Sequence, residues 1–339
     1  MERITTRLAV AVGAAGMAVL AVGCTASGPS PPGGHASPAA TATRALPSPF
    51  MITARYTAKS LGLNHPDALA IGPDGKLYVA DNSQRVSVIS PAGKVLRRWG
   101  RPGTGPGEFQ FVPADPATPS DVSGKIAAGL DGKVYVSDSG NGRIQVFTPQ
   151  GRFVREFGGF GSGKGHFLFP ADLAVDTAGN VYVADDTAET LSKFSAAGQA
   201  IWRVGGGASS DPDMDGHFHL TSIDAHGRLV VVNDDRRRVL YIDPSGHKID
   251  AFSPHSASFA GGNVCEATVD AVGNTFVSGC GPGPTGPTWA YDRSHRPIAE
   301  WPGSQYSMLR SPVFGPHAEV FALATDGSIL RLRITLQDG

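Results

Sequence analysis

The chain has 339 residues, with 29 basic and 30 acidic side chains. A nucleic-acid binder needs a cationic surplus to neutralise phosphates, so this balance excludes nucleic acid as an expected partner. Gly and Pro (44 and 26) make up about a fifth of the chain while 41% of residues are apolar, which excludes a collagen or a disordered chain and points to many short strands joined by tight turns.

In chain order, Arg3 and Arg7 precede the apolar run Leu8 to Val22, which has the length of a signal h-region and is short for a membrane span. The run ends at Ala21-Val22-Gly23-Cys24, which resembles the lipobox of bacterial lipoproteins, although Leu20 stands one place earlier than that family prefers. The resemblance implies cleavage before Cys24, acylation of Cys24 and residence on the outer face of the cytoplasmic membrane. Each buried acyl CH₂ there adds about 0.8 kcal/mol to anchoring. Residues 24–49 are rich in Ser, Pro, Ala, Gly and Thr and offer little apolar surface to bury, so they are expected to form a flexible tether. The predicted organisation is a signal peptide over 1–23, a tether over 24–49 and a folded domain over 50–337.

The folded part repeats. PDGKLYVADNS from Pro73, LDGKVYVSDSG from Leu130, TAGNVYVADDT from Thr177 and AHGRLVVVNDD from Ala225 align at once. AVGNTFVSGCG from Ala271 and PHAEVFALATD from Pro316 are weaker copies. A spacing of about 45 to 57 residues suits one four-stranded blade. Within a copy, an apolar strand such as Ala68 to Ile71 leads through a glycine turn to a second strand such as Lys76 to Ala80. The near-continuous apolar character of that second strand predicts burial on both faces. A third strand alternates, as in Arg143 to Phe147, and a fourth follows a second turn, as in Val95 to Trp99. The linkers Gly103 to Phe109, Gly161 to Phe167 and Gly216-His217-Phe218 also match, and Phe109, Phe167 and Phe218 are expected to plug the gaps between blades.

The stretches Pro170 to Asp185 and Asp138 to Phe157 resemble the NHL repeat. The resemblance covers residues from about 60 to 250 well and the last two copies loosely. It implies an all-β fold, a six-bladed β-propeller with four-stranded antiparallel blades. Only three strands remain for the sixth copy, and Met51 to Tyr56 alternates like a fourth, so this N-terminal strand is expected to close the last blade and remove an open edge.

Several residues are candidates for chemistry. The turn Ala271-Val272-Gly273 lies midway between Cys265 and Cys280, so a hairpin would set them opposite each other within disulfide reach; two buried thiols are the alternative. GGFGSGKG from Gly158 resembles a phosphate loop but lacks the terminal Ser or Thr and runs into a strand, so it reads as a blade linker. Asp211, Asp213 and Asp215 alternate as at the start of a calcium loop, but Ser222 stands where the bidentate Glu belongs. They are weak metal candidates; no cofactor is assigned, and calcium and zinc are the ions worth testing.

Asp81, Asp138, Asp185 and Asn233 each close a second strand, either as a polar ring around a ligand mouth or as caps of their own turns. With Asn82, Asp186, Asp234, His65, Asp67 and His219 they make up the candidate ligand face. Propeller lyases such as the peptide-amidating lyase set histidines at matching strand starts, but here the residues counted as equivalent to Asp67 are Ala171 and His219, a poor match. Arg236-Arg237-Arg238 reads as a solvated hairpin tip, and no catalytic residue is assigned. The function expected is a membrane-anchored binding or scaffold lipoprotein that presents one propeller face to a protein, glycan or small ligand. The alternative is a metal-dependent lyase or lactonase working at the central channel.

Overall fold

Strand β1 (Phe50–Tyr56) and a one-turn helix, α1 (Ala58–Leu61), lead into the first blade, β2 (Pro66–Ile71), β3 (Leu77–Asp81), β4 (Arg85–Ile89) and β5 (Val95–Trp99). Blade 2 is β6 (Ile126–Ala128), β7 (Val134–Asp138), β8 (Arg143–Phe147) and β9 (Phe153–Gly158). Blade 3 is β10 (Pro170–Val175), β11 (Val181–Asp185), β12 (Thr190–Phe194) and β13 (Ala200–Gly205). Blade 4 is β14 (Phe218–Ile223), β15 (Leu229–Asn233), β16 (Arg238–Ile242) and β17 (Lys248–Phe252). Blade 5 is β18 (Asn263–Val269), β19 (Thr275–Cys280), β20 (Thr288–Tyr291) and β21 (Pro297–Trp301). Blade 6 is β22 (Arg310–Phe314), β23 (Val320–Leu323) and β24 (Ile329–Ile334), with β1 as its outer strand.

This is a computed structural model that describes residues 46–111, 124–254, 263–280, 287–301, 310–315, 319–324 and 326–336. The signal-like segment, Cys24 and the tether as far as residue 45 lie outside the described residues. No helix among those described is long and apolar enough to cross a membrane.

Each of the six sheets has four antiparallel strands in the order inner to outer, as the repeat predicts. The second strands β3, β7, β11 and β15 are buried along their whole length, because each lies inside a blade whose two faces pack on neighbouring blades. Phe109, Phe167 and Phe218 are at most 1% exposed. Phe167 sits in one cluster with Ile144 and Val146 of blade 2 and Leu173 and Val181 of blade 3, and Phe218 joins Tyr182 and Leu191 of blade 3 to Leu229 of blade 4. Both therefore fill the wedge between sheets that diverge by twist. Ring closure also follows the expectation, with β1 antiparallel to β24 from Phe50↔Ile334 to Tyr56↔Ile329.

Two expectations need correction. The end of the assigned tether is part of the folded body: Glu300 N donates to Pro47 O and Thr335 N to Pro49 O, each at 2.9 Å, and Leu46 packs on the core of blades 4 and 5. Leu46 gives these residues an apolar anchor of a size that residues 25–45 lack in their sequence. Cys265 and Cys280 are not directly opposite. Cys280 pairs with Asn263, and Cys265 is the extra residue of a bulge between Val264 and Glu266. An inserted residue shifts the register of everything beyond it, which counting from the turn does not reveal.

Candidate functional site at the channel mouth

The inner strands of all six blades surround an axial cavity of about 260 Å³. Most of its wall is small or apolar, including Ala68, Ala70, Ala127, Ala174 and Ala267. Its charged groups, Asp67, Lys125, Asp172 and Glu266, lie toward the start of the inner strands, and Thr221, Ser222 and Thr268 lie further along.

Strand register explains that placement. The fourth residue of each second strand faces one inner-strand position: Ala80 faces Ala68, Ser137 bonds to Lys125, Ala184 faces Asp172, Val232 faces His219 and Ser278 faces Glu266. Arg310 holds the position in blade 6 by pairing with Leu323. Four successive blades thus deliver Lys125, Asp172, His219 and Glu266, spaced 47 residues apart, to equivalent points around one axis.

These four side chains reach one another. Lys125 Nζ lies 3.8 Å from Asp172 Oδ1 and 3.9 Å from Glu266 Oε1, so it links neighbouring blade 3 with blade 5 on the far side of the ring. His219 Nδ1 lies 3.2 Å from Asp172 Oδ2, and its Nε2 lies 3.9 Å from Asp234 Oδ2. Burial works to lower the basicity of His219, but its bonds to Asp172 and Asp234 outweigh that effect and push its pKa up to about 10. Burial likewise opposes ionisation of Asp172, and the charges of Lys125 and His219 overcome it to hold the carboxyl below its usual range. Asp186 moves the other way. Burial raises its pKa, and the nearby Asp172 and Asp234 carboxylates add to that rise against the pull of His217 and His219. The mouth therefore carries alternating charge around its rim and an excess of carboxylates behind His217 and His219.

Of the candidate ligand face, Asp67 lines the cavity, while His219, Asp186 and Asp234 belong to this cluster. His65 and Asn82 are exposed in adjoining loops, His65 at a positive φ of 45°. Asp81, Asp138, Asp185 and Asn233 take the capping role among the two that the sequence allows. All are buried and hold the chain: Asp81 accepts from Asn64 N and Ser83 N, and Asp185 accepts from Leu168 N, Phe169 N and Ala188 N. Asp138 accepts from Gln110 N, Asn141 Nδ2, Arg143 Nε and Gln145 Nε2, and Asn233 Nδ2 donates to Asp213 O and Asp215 O.

Asp211 and Asp213 do not form a calcium loop, because the Lys248 ammonium lies 2.7 Å and 2.6 Å from their carboxylates and Arg238 lies 2.8 Å from Asp213. Asp215 accepts instead from Gly207 N and Ser209 N. Another group at the mouth has cation-binding spacing. One ligand atom each of His217, Asp234 and Asp235 lies within 4.8 Å of the others.

Lys125, Asp172 and Glu266 were absent from the candidate face drawn from sequence. With His219 they recur at successive 47-residue steps, which is a usable signal. It was hidden because the inner-strand bulge comes before the key position in blades 3 and 5 and after it in blade 4, so counting from the strand start aligned His219 with Ala171.

Fold and repeat together define a six-bladed β-propeller built from NHL-type repeats, with a charged ring at one end of its channel. Residues 125–202 match the family described as DUF5128, 6-bladed beta-propeller. The chain is 27% identical over 148 residues to Protein brain tumor of Drosophila melanogaster, covering 43% of this chain and 13% of that protein. It is also 27% identical over 205 residues to the peptidylglycine alpha-amidating monooxygenase of Rattus norvegicus, covering 43% of this chain and 20% of that enzyme. Among solved structures, a streptogramin B lyase superposes with a TM-score of 0.55 at 12% identity, over 84% of this chain and 98% of the lyase. The virginiamycin B lyase of Staphylococcus aureus gives 0.54 at 12% identity, over 84% of this chain and 99% of the enzyme. At these identities the likeness to the two lyases is one of fold.

Proposed function

We propose that this protein is an extracytoplasmic binding lipoprotein that takes a small polar ligand, or the polar end of a glycan or peptide, at the mouth of its propeller channel. The ring of Lys125, Asp172, His219 and Glu266 carries this reading, because it sets two cations and two carboxylates at the mouth of a channel space of about 260 Å³. Recognition sites commonly combine an apolar wall with a few convergent polar groups. The wall here cannot discriminate among polar ligands, so the ring would set selectivity. The test is calorimetric screening of the purified chain against neutral, acidic and amino sugars, amino acids and short peptides. Binding that weakens at least tenfold in both Lys125→Ala and Asp172→Asn is expected, and ligands indifferent to both substitutions would move the site elsewhere.

Membrane attachment through acylated Cys24 is part of the proposal, supported by the apolar run that ends at the lipobox-like tetrapeptide. Detergent-phase partitioning that is lost in Cys24→Ser is the expected result. A Cys265–Cys280 bridge fits the same oxidising compartment. It is supported by the register, which sets Cys280 opposite Asn263, two residues from Cys265, on the paired strand. Bridging a loop of this length is worth about 3 kcal/mol, and no free thiol from this pair should appear in the unfolded, unreduced protein.

A second reading, a metal-dependent lyase, is favoured by the spacing of His217, Asp234 and Asp235. Stoichiometric zinc or calcium in the purified protein, lost in His217→Ala, would bring this reading to the front.

A further inference from the structure

On the face opposite the charged ring, hydrogen bonds from one blade to the next close the seams between blades. Tyr56 donates to Pro91 O at 2.9 Å, Arg97 to Gln150 O at 3.1 Å and Arg155 to Ala196 O. Trp202 Nε1 and Lys193 Nζ both donate to Pro244 O at 3.0 Å. Each acceptor belongs to the turn before the outer strand of the following blade. Four seams are thus latched by a donor on one blade and a turn carbonyl on the next.

The seam from blade 4 to blade 5 breaks this series. Register sets Asp250 opposite Tyr241, the place where blade 3 sets Trp202 opposite Lys193. A carboxylate accepts only, so it cannot latch onto a carbonyl. The facing turn departs as well. Arg293 stands where blade 4 has Pro244, and His295 stands where it has Gly246. His295 holds a left-handed φ of 59°, unfavourable for a residue with a side chain, and stacks on Phe252 with ring centres 4.2 Å apart. This seam is bridged by side chains instead, Asp250 with His295 Nε2 and Tyr241 with Thr275, and beside these contacts lies a cavity of about 180 Å³, lined among others by Arg228, Tyr241, Asp250, Arg293 and His295.

The acids of this cavity are largely committed. Asp224 accepts from His226 N, Arg228 N and Arg228 Nε, and Asp270 accepts from Val272 N, Asn274 N and Asn274 Nδ2. Asp250 lies 3.5 Å from His295 Nε2. The arginines are less engaged. Arg228 uses Nε on Asp224 and lies over the Tyr241 ring, and Arg293 uses Nε on Val272 O at 2.6 Å. Among the described residues no hydrogen bond engages the Nη groups of either arginine. A guanidinium fork of this kind matches an oxyanion.

We propose that the cavity at the seam between blades 4 and 5 is a second binding site, for a ligand bearing a compact oxyanion that Arg228 and Arg293 hold, with Asp250 accepting from a ligand hydroxyl. This site stands apart from the channel mouth, and neither depends on the other. The test titrates the full chain calorimetrically with inorganic phosphate and, separately, with glucuronate, at an ionic strength fixed by chloride. Saturable millimolar or tighter binding of at least one probe is expected. Phosphate as the tighter probe assigns a phosphoryl group, and glucuronate an acidic sugar. The Arg228→Gln/Arg293→Gln double variant should weaken binding at least tenfold. Asp250→Trp, which rebuilds the donor of the neighbouring seam, should abolish binding without lowering Tm, and it decides the matter if the double variant misfolds. Absence of saturable binding to both probes, or unchanged affinity in Asp250→Trp, would overturn the proposal.

Discussion

Two sets of polar side chains gather near the same end of the propeller, and they are satisfied in different ways. Asp81, Asp138, Asp185 and Asn233 are at most 3% exposed and hold loop atoms of their own neighbourhood. Lys125, Asp172, His219 and Glu266 pair with one another across blades, and all but His219 line the cavity. The first set repeats in type because each blade poses the same problem, buried backbone donors at the end of a second strand. The second set changes in type from blade to blade while keeping its position. Constancy within a repeat thus marks scaffold here, and variation at a constant position marks the candidate site.

The sharpest way to break this contrast is Asp138→Ala. It strips the buried partner from Arg143 Nε, 2.8 Å away, and leaves a largely buried cation under-compensated. A loss of about 3–5 kcal/mol in denaturant unfolding is expected, with little change in ligand binding. Asp185→Ala should come next. It leaves Leu168 N, Phe169 N and Ala188 N without their acceptor, at a cost of about 1–3 kcal/mol.

Ring substitutions should instead show in pH dependence. His219 keeps its proton in the folded state to about pH 10, whereas the unfolded chain releases it near 6.5. Its contribution is therefore fully present below pH 6.5 and is lost as pH rises through 10, with a slope of at most about 1.4 kcal/mol per pH unit. His219→Gln should flatten urea-derived stability across that window, and an unchanged slope would remove His219 from the network. The smallest effect expected is a gain. Burial and neighbouring carboxylates disfavour ionised Asp186, so Asp186→Asn should raise Tm slightly at neutral pH. The gain should vanish in acid, where the wild-type carboxyl is already protonated, and a fall in Tm would show that Asp186 is held by its cations.

The sequence by itself determined the blades. Gly turns, continuously apolar second strands and the linkers ending in Phe109, Phe167 and Phe218 are local signals, and each copy repeats the same solution to the same burial problem. Even the closing strand was legible, because Phe50–Tyr56 supplies the one strand the sixth blade lacks. Tertiary structure decided which polar residues meet. The inner-strand bulges move in and out of phase between blades 3, 4 and 5, so only the folded register brings His219 level with Asp172 and Glu266. The altered seam at Asp250 was equally hidden, because a carboxylate in a strand looks ordinary until its partner across the seam, His295, proves to belong to the next blade. Hydrophobic period and turn chemistry act over a few residues, whereas pairing of charges around an axis acts between residues 47 or more apart, through space that the chain order does not encode.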